Sequence, residues 1–250
     1  MKYKLLALDI DGTIVKEHTN TASKAVIEAI QKAKEKLSIS LITGRAWLDQ
    51  KIIIDLLDLP SNYHVSENGA KVINPSGSLE YSRCIVYEEI DAILSLAKTL
   101  HHDVAFCLNG KWEPYTALEK TSQISTISFI SANRQLGVQI SQTLPETGRE
   151  YSVSVGSHWS ESEWAVTMIS HQHASKGNGL AYVQRKLGIL PEETIAVGDG
   201  ACDIPMMHYA GNKVAMGNAE PELRLMANYV APSVLEDGLV DVIRKFISVA

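Results

Sequence analysis

The chain has 250 residues, 45% of them hydrophobic and 21% charged, with a formal net charge of −6. That length allows one large domain or two modest ones, and the composition is ordinary for a soluble globular protein. The acidic balance argues against nonspecific nucleic-acid binding, which needs a basic surface, and no apolar run approaches the ~20 residues that cross a bilayer. Cys84, Cys107 and Cys202 are scattered and form neither a disulfide framework nor a paired metal-ligand spacing, so a reducing cytoplasm is the expected location. Met1-Lys2-Tyr3-Lys4 leads into a short apolar strand ending at Asp9, and an acidic residue there does not fit a signal peptide.

Residues 3–9 read as a buried strand. Helical spacing follows over 21–36, through Ala22, Ala25, Val26, Ala29, Ile30 and Ala33, with Thr21 or Asn20 as the expected cap. A strand at 37–43 and a helix at 46–58 come next, and Pro60 ends the region. Residues 63–66 and 71–74 flank Asn68-Gly69, a hairpin-turn signal. This β-α-β-α-β order predicts a parallel sheet with covering helices. From about residue 83 the character changes: a helix at 86–100, short strands near 103–109 and 125–130, a helix at 132–145 ended by Pro145, and alternating runs at 150–156 and 163–169. After His173 the first pattern resumes, with helix 175–187, strand 194–198, helix 202–209, strand 212–216 and a closing helix at 237–248. The expected architecture is α/β. Residues 1–82 and 172–250 form a Rossmann-like parallel-sheet core, and residues 83–171 form an inserted α+β domain.

Two carboxylates, Asp9 and Asp11, stand two residues apart at the mouth of the first strand. Like charges that close repel and resist desolvation, so the pair implies a cation or a reaction that needs it. On an ideal strand both would face one side, and Gly12 then lets the chain turn and an anion approach. Three further polar groups end or follow apolar runs: Thr43-Gly44-Arg45 after Ile39–Ile42, Lys176-Gly177 at a helix start, and Gly198-Asp199-Gly200-Ala201-Cys202-Asp203 after Thr194–Val197. In an open α/β sheet, ligands bind at the carboxyl ends of the strands.

In this order the motifs resemble the haloacid dehalogenase superfamily of phosphotransferases: Asp-x-Asp-Gly-Thr, then Thr, then Lys, then Gly-Asp-x-x-x-Asp. Asn68-Gly69-Ala70, Met216-Gly217-Asn218-Ala219 and Glu236-Asp237-Gly238-Leu239 are similar to its Cof-type branch, which carries a large cap between the second and third motifs. The resemblance implies a Mg2+-dependent phosphatase of small phosphorylated metabolites, sugar phosphates foremost, working as a monomer or homodimer. A phosphomutase of the same superfamily is the alternative, and a noncatalytic phospho-ligand sensor a more distant one. Asp9, ionised at neutral pH, becomes the expected nucleophile, and Asp11 the general acid/base. Asp9, the Asp11 carbonyl and Asp199 would hold the metal with hard oxygens. Asp203 would hold a metal-bound water or orient Lys176. Thr43, Lys176 and the Gly12 and Gly44 amides would meet the phosphoryl group, and Arg45 would either bind the phosphate or the leaving group or form a salt bridge at the surface. Cys202 occupies a place where the Cof-type pattern has Asn, so phosphate binding there is expected to be weaker or to recruit a water. His171-Gln172-His173 is expected to be the return linker rather than a metal pair. In the insert, His158, Trp159 and Glu161 fall in a loop of the kind that reaches over the core site in this branch; stacking of Trp159, or more weakly of Trp112 or Tyr115, on a leaving group is the alternative to a plain structural role.

Overall fold

The computed structural model describes residues 2–17, 19–100, 103–108, 111–114, 124–131, 133–144, 150–157 and 164–247. In chain order the elements are β1 (Leu5–Leu8), α1 (Lys24–Lys34), β2 (Ser38–Leu41), α2 (Trp47–Leu56), β3 (His64–Ser66), β4 (Lys71–Ile73) and β5 (Leu79–Ser82). They continue with α3 (Tyr87–Leu100), β6 (Asp103–Leu108), β7 (Lys111–Pro114), β8 (Ile124–Ser131), α4 (Arg134–Thr143), β9 (Tyr151–Ser157) and β10 (Ala165–His171). The chain closes with α5 (Lys176–Leu187), β11 (Thr194–Gly198), α6 (Ile204–Met207), β12 (Asn212–Ala215), α7 (Pro221–Met226), β13 (Tyr229–Val230) and α8 (Gly238–Ile247).

The central sheet is parallel, in the order β13-β12-β11-β1-β2. Alternation along β1 sends Leu6 and Leu8 to one face, where they pack with Val26 and Ile30 of α1, Ile53 of α2 and Val242 and Ile243 of α8. Leu5 and Ala7 go to the other face, against Leu180 and Val183 of α5 and Met206 and Met207. Both faces are therefore dry, which is why these strands read as continuous apolar runs. From β1 the chain crosses to β2 on one side, and its later return places β11 on the other. The loops leaving β1 thus open a crevice at its carboxyl end, the switch point where such sheets bind ligands.

A second sheet, antiparallel in the order β7-β6-β8-β10-β9, is built from the strands between Asp103 and His171. Its two faces differ in chemistry. Ile127, Phe129 and Ile169 pack with Val153 against Ile90, Ile93 and Leu94 of α3 and Ile140 of α4. The opposite face carries the rows Ser152–Ser170–Thr126–Cys107 and Ser154–Met168–Ser128, each set by strand register. Asn68 of the first layer touches this polar face, donating from Nδ2 to Met168 Sδ at 3.2 Å.

Several local expectations shift. Ser23, not Thr21 or Asn20, caps α1, its hydroxyl accepting from the Val26 amide. β3 does not join the parallel sheet as a strand: it touches it through one bridge, Ile42 to Val65, and pairs with β4 and β5 instead. The expected helix at 202–209 is a 3-10 turn, Ala201–Asp203, followed by the single turn of α6, because Pro205 has no amide to extend a longer ladder. The short elements β5, β7, α7 and β13 were not foreseen. His158, Trp159, Glu161 and Tyr115 lie outside the described residues, and of Trp112 only its place in β7 is described.

Candidate active site

Asp9 leaves β1 with its amide bonded to Val197 O at 3.0 Å, so the loop after β1 is tied to the end of β11. Gly12, at φ +71, makes the following turn, and a Cβ there would stand 1.9 Å from Asp199 Oδ2. Only glycine lets Asp199 come this close. The Gly12 amide, expected to face a phosphoryl oxygen, donates within the turn to Val15 O at 2.9 Å. What Gly12 supplies here is room.

Asp9, Asp199 and Asp203 each bring a carboxylate oxygen within 4.8 Å of the others. Lys176, the first residue of α5 and 2% exposed, donates to Asp9 Oδ1 at 2.7 Å and to Asp203 Oδ1 at 2.5 Å. Burial alone would lower the lysine's pKa, but the Asp203 and Asp9 carboxylates hold it well above the usual value. Asp203 is fully buried, and its Oδ2 accepts from the Asp199 and Gly200 amides at 2.9 Å each. With both oxygens used, Asp203 orients Lys176 and shapes the Asp199 turn.

Asp9 and Asp199 are left facing each other. Burial, then the Asp203 charge, pushes Asp9 up to about 7. Burial, then the Asp9 charge, pushes Asp199 to about 9. Two desolvated hard-oxygen donors that resist ionising together fit a divalent cation such as Mg2+, which removes that conflict.

Asp11 is held by Arg45 in a two-pronged ion pair, Nε to Oδ2 at 2.8 Å and Nη2 to Oδ1 at 2.7 Å. Arg45 also donates to Asn20 Oδ1 at 2.6 Å and Thr19 O at 2.7 Å. Of its two expected readings, phosphate or leaving-group contact and a salt bridge, Arg45 makes an ion pair that fixes Asp11 against the 19–20 loop. Thr43, buried at the end of the β2 run, accepts at Oγ1 from the Arg45 amide at 3.1 Å. Its own hydroxyl hydrogen remains to be given. Gly44 lies beside Asn68, whose Oδ1 would be 3.1 Å from a Cβ at Gly44. Cys202 is half-buried; burial raises its pKa, which Lys176 only partly opposes, so the thiol stays protonated.

His171 ends β10, and its Nδ1 accepts from the His173 amide at 3.1 Å. Among the described residues these histidines join no metal-capable cluster. Sequence reasoning missed Asn218 as a site residue. Its Nδ2 donates to Gly12 O at 2.9 Å and to Asp199 Oδ2 at 3.0 Å, while its Oδ1 accepts from the Val234 amide. The signal was present in Met216-Gly217-Asn218-Ala219, which served only as a mark of resemblance. It also missed Glu67. That residue is fully buried, paired with Lys71 at 3.1 Å and taking a hydrogen bond from Ser125 across the two layers.

A family model described as haloacid dehalogenase-like hydrolase matches residues 6–136 and 113–243. YxeH of Bacillus subtilis is 28% identical over 273 residues, covering 98% of each chain. The phosphoglycolate phosphatase of Methanothermobacter thermautotrophicus is 25% identical over 249 residues, covering 97% of this chain and 98% of its own. Among solved structures, a protein of Bacteroides thetaiotaomicron, described with the phosphatases of the haloalkanoate superfamily, superposes with a TM-score of 0.81. It is 25% identical and covers 98% of this chain and 95% of that chain.

Proposed function

The chain belongs to the haloacid dehalogenase-like hydrolases, in their Cof-type branch, and on that premise we propose that it is a Mg2+-dependent phosphatase of small phosphorylated metabolites, sugar phosphates foremost. The observation that carries this reading is Lys176 bridging Asp9 and Asp203, with Asp199 opposite, at the switch point of the sheet. A buried carboxylate needs a cation beside it to serve as a nucleophile toward an anion. Lys176 supplies one positive charge, which three carboxylates outnumber. Asp9, Asp199 and the Asp11 carbonyl would hold Mg2+, which supplies charge neutralisation at the phosphoryl oxygens.

Asp9 Oδ1 is taken by Lys176, so Oδ2 attacks phosphorus. The bond to the leaving oxygen breaks as the aspartyl-phosphate forms, and Asp11, protonated and released from the Arg45 pair, gives that oxygen its proton. Asp11 then takes a proton from the water that attacks phosphorus, releasing phosphate and restoring Asp9. Both Asp11 oxygens accept from Arg45 in the resting arrangement, so Asp11 serves as acid and base only once that pair opens. Thr43 gives its hydroxyl hydrogen to a phosphoryl oxygen. Residues 1–82 and 172–250 form the catalytic unit in this reading, and residues 83–171 cover it.

The test is hydrolysis of p-nitrophenyl phosphate with and without Mg2+. Turnover should require the ion and vanish with EDTA. Full activity in metal-free buffer would remove the assignment.

A further inference from the structure

Between the two sheets lies a cavity of about 170 Å3, lined among others by Asn68, Ser152, Ser154, Lys176 and Cys202. The catalytic reading makes no use of Asn68. Its backbone is left-handed, at φ 53 and ψ 32, a conformation that costs a non-glycine residue free energy and clusters at functional sites. The neighbouring contacts impose it. The Glu67 amide donates to Arg45 O and the Asn68 amide to Thr43 O, while Gly69 abuts the Ser175 backbone that caps α5. The turn is thus wedged between the loop of Thr43 and the helix of Lys176, and it delivers the Asn68 side chain to the cavity wall.

That carboxamide is poorly satisfied. Asn68 is only 8% exposed, its Nδ2 reaches a thioether sulfur, a weak acceptor, and its Oδ1 has no hydrogen-bond partner among the described residues. A buried polar atom without a partner destabilises the free protein. A ligand hydroxyl would offset that cost. Opposite stand Ser152 and Ser154 on β9, the edge strand of the antiparallel sheet, in the same rows as Ser170 and Met168. Among the described lining residues Lys176 is the one cation, and two carboxylates already occupy it. A second anionic group on the leaving group would find no counter-charge on this lining, whereas neutral hydroxyls would find acceptors and donors.

We propose that Asn68 is a specificity-determining residue, its Oδ1 accepting a hydrogen bond from a hydroxyl of the leaving group, with Ser152 and Ser154 completing a subsite for an uncharged polyhydroxylated leaving group. The proposal rests on the phosphatase reading for where the leaving group lies. Asn68→Gly removes the carboxamide and suits the left-handed backbone, so the fold should persist. Met168→Leu removes only the amide's sulfur partner. The probes are glucose 6-phosphate, ribose 5-phosphate and glycerol 3-phosphate, each compared with p-nitrophenyl phosphate on the Mg2+-loaded enzyme. Asn68→Gly should lower kcat/KM for the preferred hydroxylated substrate, relative to the aryl phosphate, by about tenfold, chiefly through KM. Met168→Leu should move that ratio by less than about twofold. Equal losses on all substrates, or the same loss in Met168→Leu, would overturn the proposal in favour of a structural contact. Titration of the same probes into Asp9→Asn protein, with and without Asn68→Gly, reads the contact without turnover. Failure of every hydroxylated probe to bind, or binding unchanged by Asn68→Gly, also overturns it. Wild-type protein inactive on all four substrates would instead remove the phosphatase reading, with the titration still deciding Asn68.

Discussion

The ends of the parallel strands bring three carboxylates and a lysine together and clamp a fourth carboxylate with an arginine, whereas the facing sheet offers serines, a threonine and a methionine. On the first wall almost every charge is spoken for: Lys176 by Asp9 and Asp203, Arg45 by Asp11, Asp203 by two amides. On the second, the contact to Asn68 is a single weak hydrogen bond to sulfur. A buried charge that loses its partner costs several kcal/mol, while a neutral hydrogen bond is worth about 1 kcal/mol net. The charged wall should therefore be intolerant of change and the neutral wall permissive, which suits chemistry on one side and discrimination on the other.

The largest effect should come from Asp9→Asn. It is nearly isosteric, keeps an acceptor for Lys176 and removes a carboxylate that burial already holds up at about 7. Turnover should fall by more than about a thousandfold, because an amide cannot form the phosphorylated intermediate, while thermal stability holds or rises. A variant keeping a tenth of wild-type kcat would mean the charged wall does not supply the nucleophile.

Next comes Lys176→Met, which removes the cation from between Asp9 and Asp203. Breaking a buried pair from one side should cost about 3 kcal/mol of unfolding free energy. Added Mg2+ should recover part of it by binding the folded state. Urea unfolding with and without the ion measures both. Unchanged stability would show that the charged wall is not held together by its own pairs.

Smaller still is an effect at the join of the two walls, on β3 just before the Glu67–Gly69 turn. His64 is buried, and its Nδ1 accepts from the Leu41 amide at 3.1 Å, so the ring must be neutral. Burial lowers its pKa from 6.5 to about 4. Between those values the unfolded chain binds a proton that the folded protein does not. Stability is then complete above the unfolded value and is lost as pH falls. Between pH 7 and pH 5 the loss from this residue should be about 2 kcal/mol. His64→Asn, whatever its stability at neutral pH, should show a correspondingly shallower decline over that interval. Parallel curves for the two proteins would rule out the neutral buried imidazole.

The charged wall was largely legible in the sequence because its residues sit at fixed places relative to strand ends. An apolar run followed by Asp9, Thr43 or Asp199 announces itself locally, since burial on both faces removes the polar alternation that would obscure it. Pairings between distant positions did not. Asn218 reaches Gly12 across 206 residues, and Ser125 reaches Glu67 across 58. Nothing near Glu67 says that its side chain will be buried against another layer. Asn20 looked like a helix cap because caps are recognised locally, yet its oxygen serves Arg45, 25 residues on. The short strands β5, β7 and β13 depend on a neighbour's edge more than on their own pattern. The serine-rich face was visible as alternation in β9 and β10, but which face would meet the core depended on packing that no single strand encodes.

The smallest effect is expected at Cys202, where the two walls meet and where the Cof-type pattern has Asn. The thiol lines the cavity with Asn68 and Lys176, and burial keeps it protonated, so it contributes neither charge nor a strong hydrogen bond. Cys202 lines the cavity, so a longer side chain has open space beside it. A carboxamide there could donate to a phosphoryl oxygen or to a leaving-group hydroxyl without displacing Lys176, which Asp9 and Asp203 already anchor. Cys202→Asn should therefore hold or raise kcat/KM, by up to about tenfold if one net hydrogen bond of ~1 kcal/mol is gained. A gain shared by the aryl phosphate and the sugar phosphates would place the new bond on the phosphoryl group; a gain confined to the sugar phosphates would place it in the neutral subsite. A large loss, with Mg2+ saturating and the fold intact by circular dichroism, would mean the thiol has a role of its own, and the boundary between the charged and neutral walls would have to be redrawn to include it.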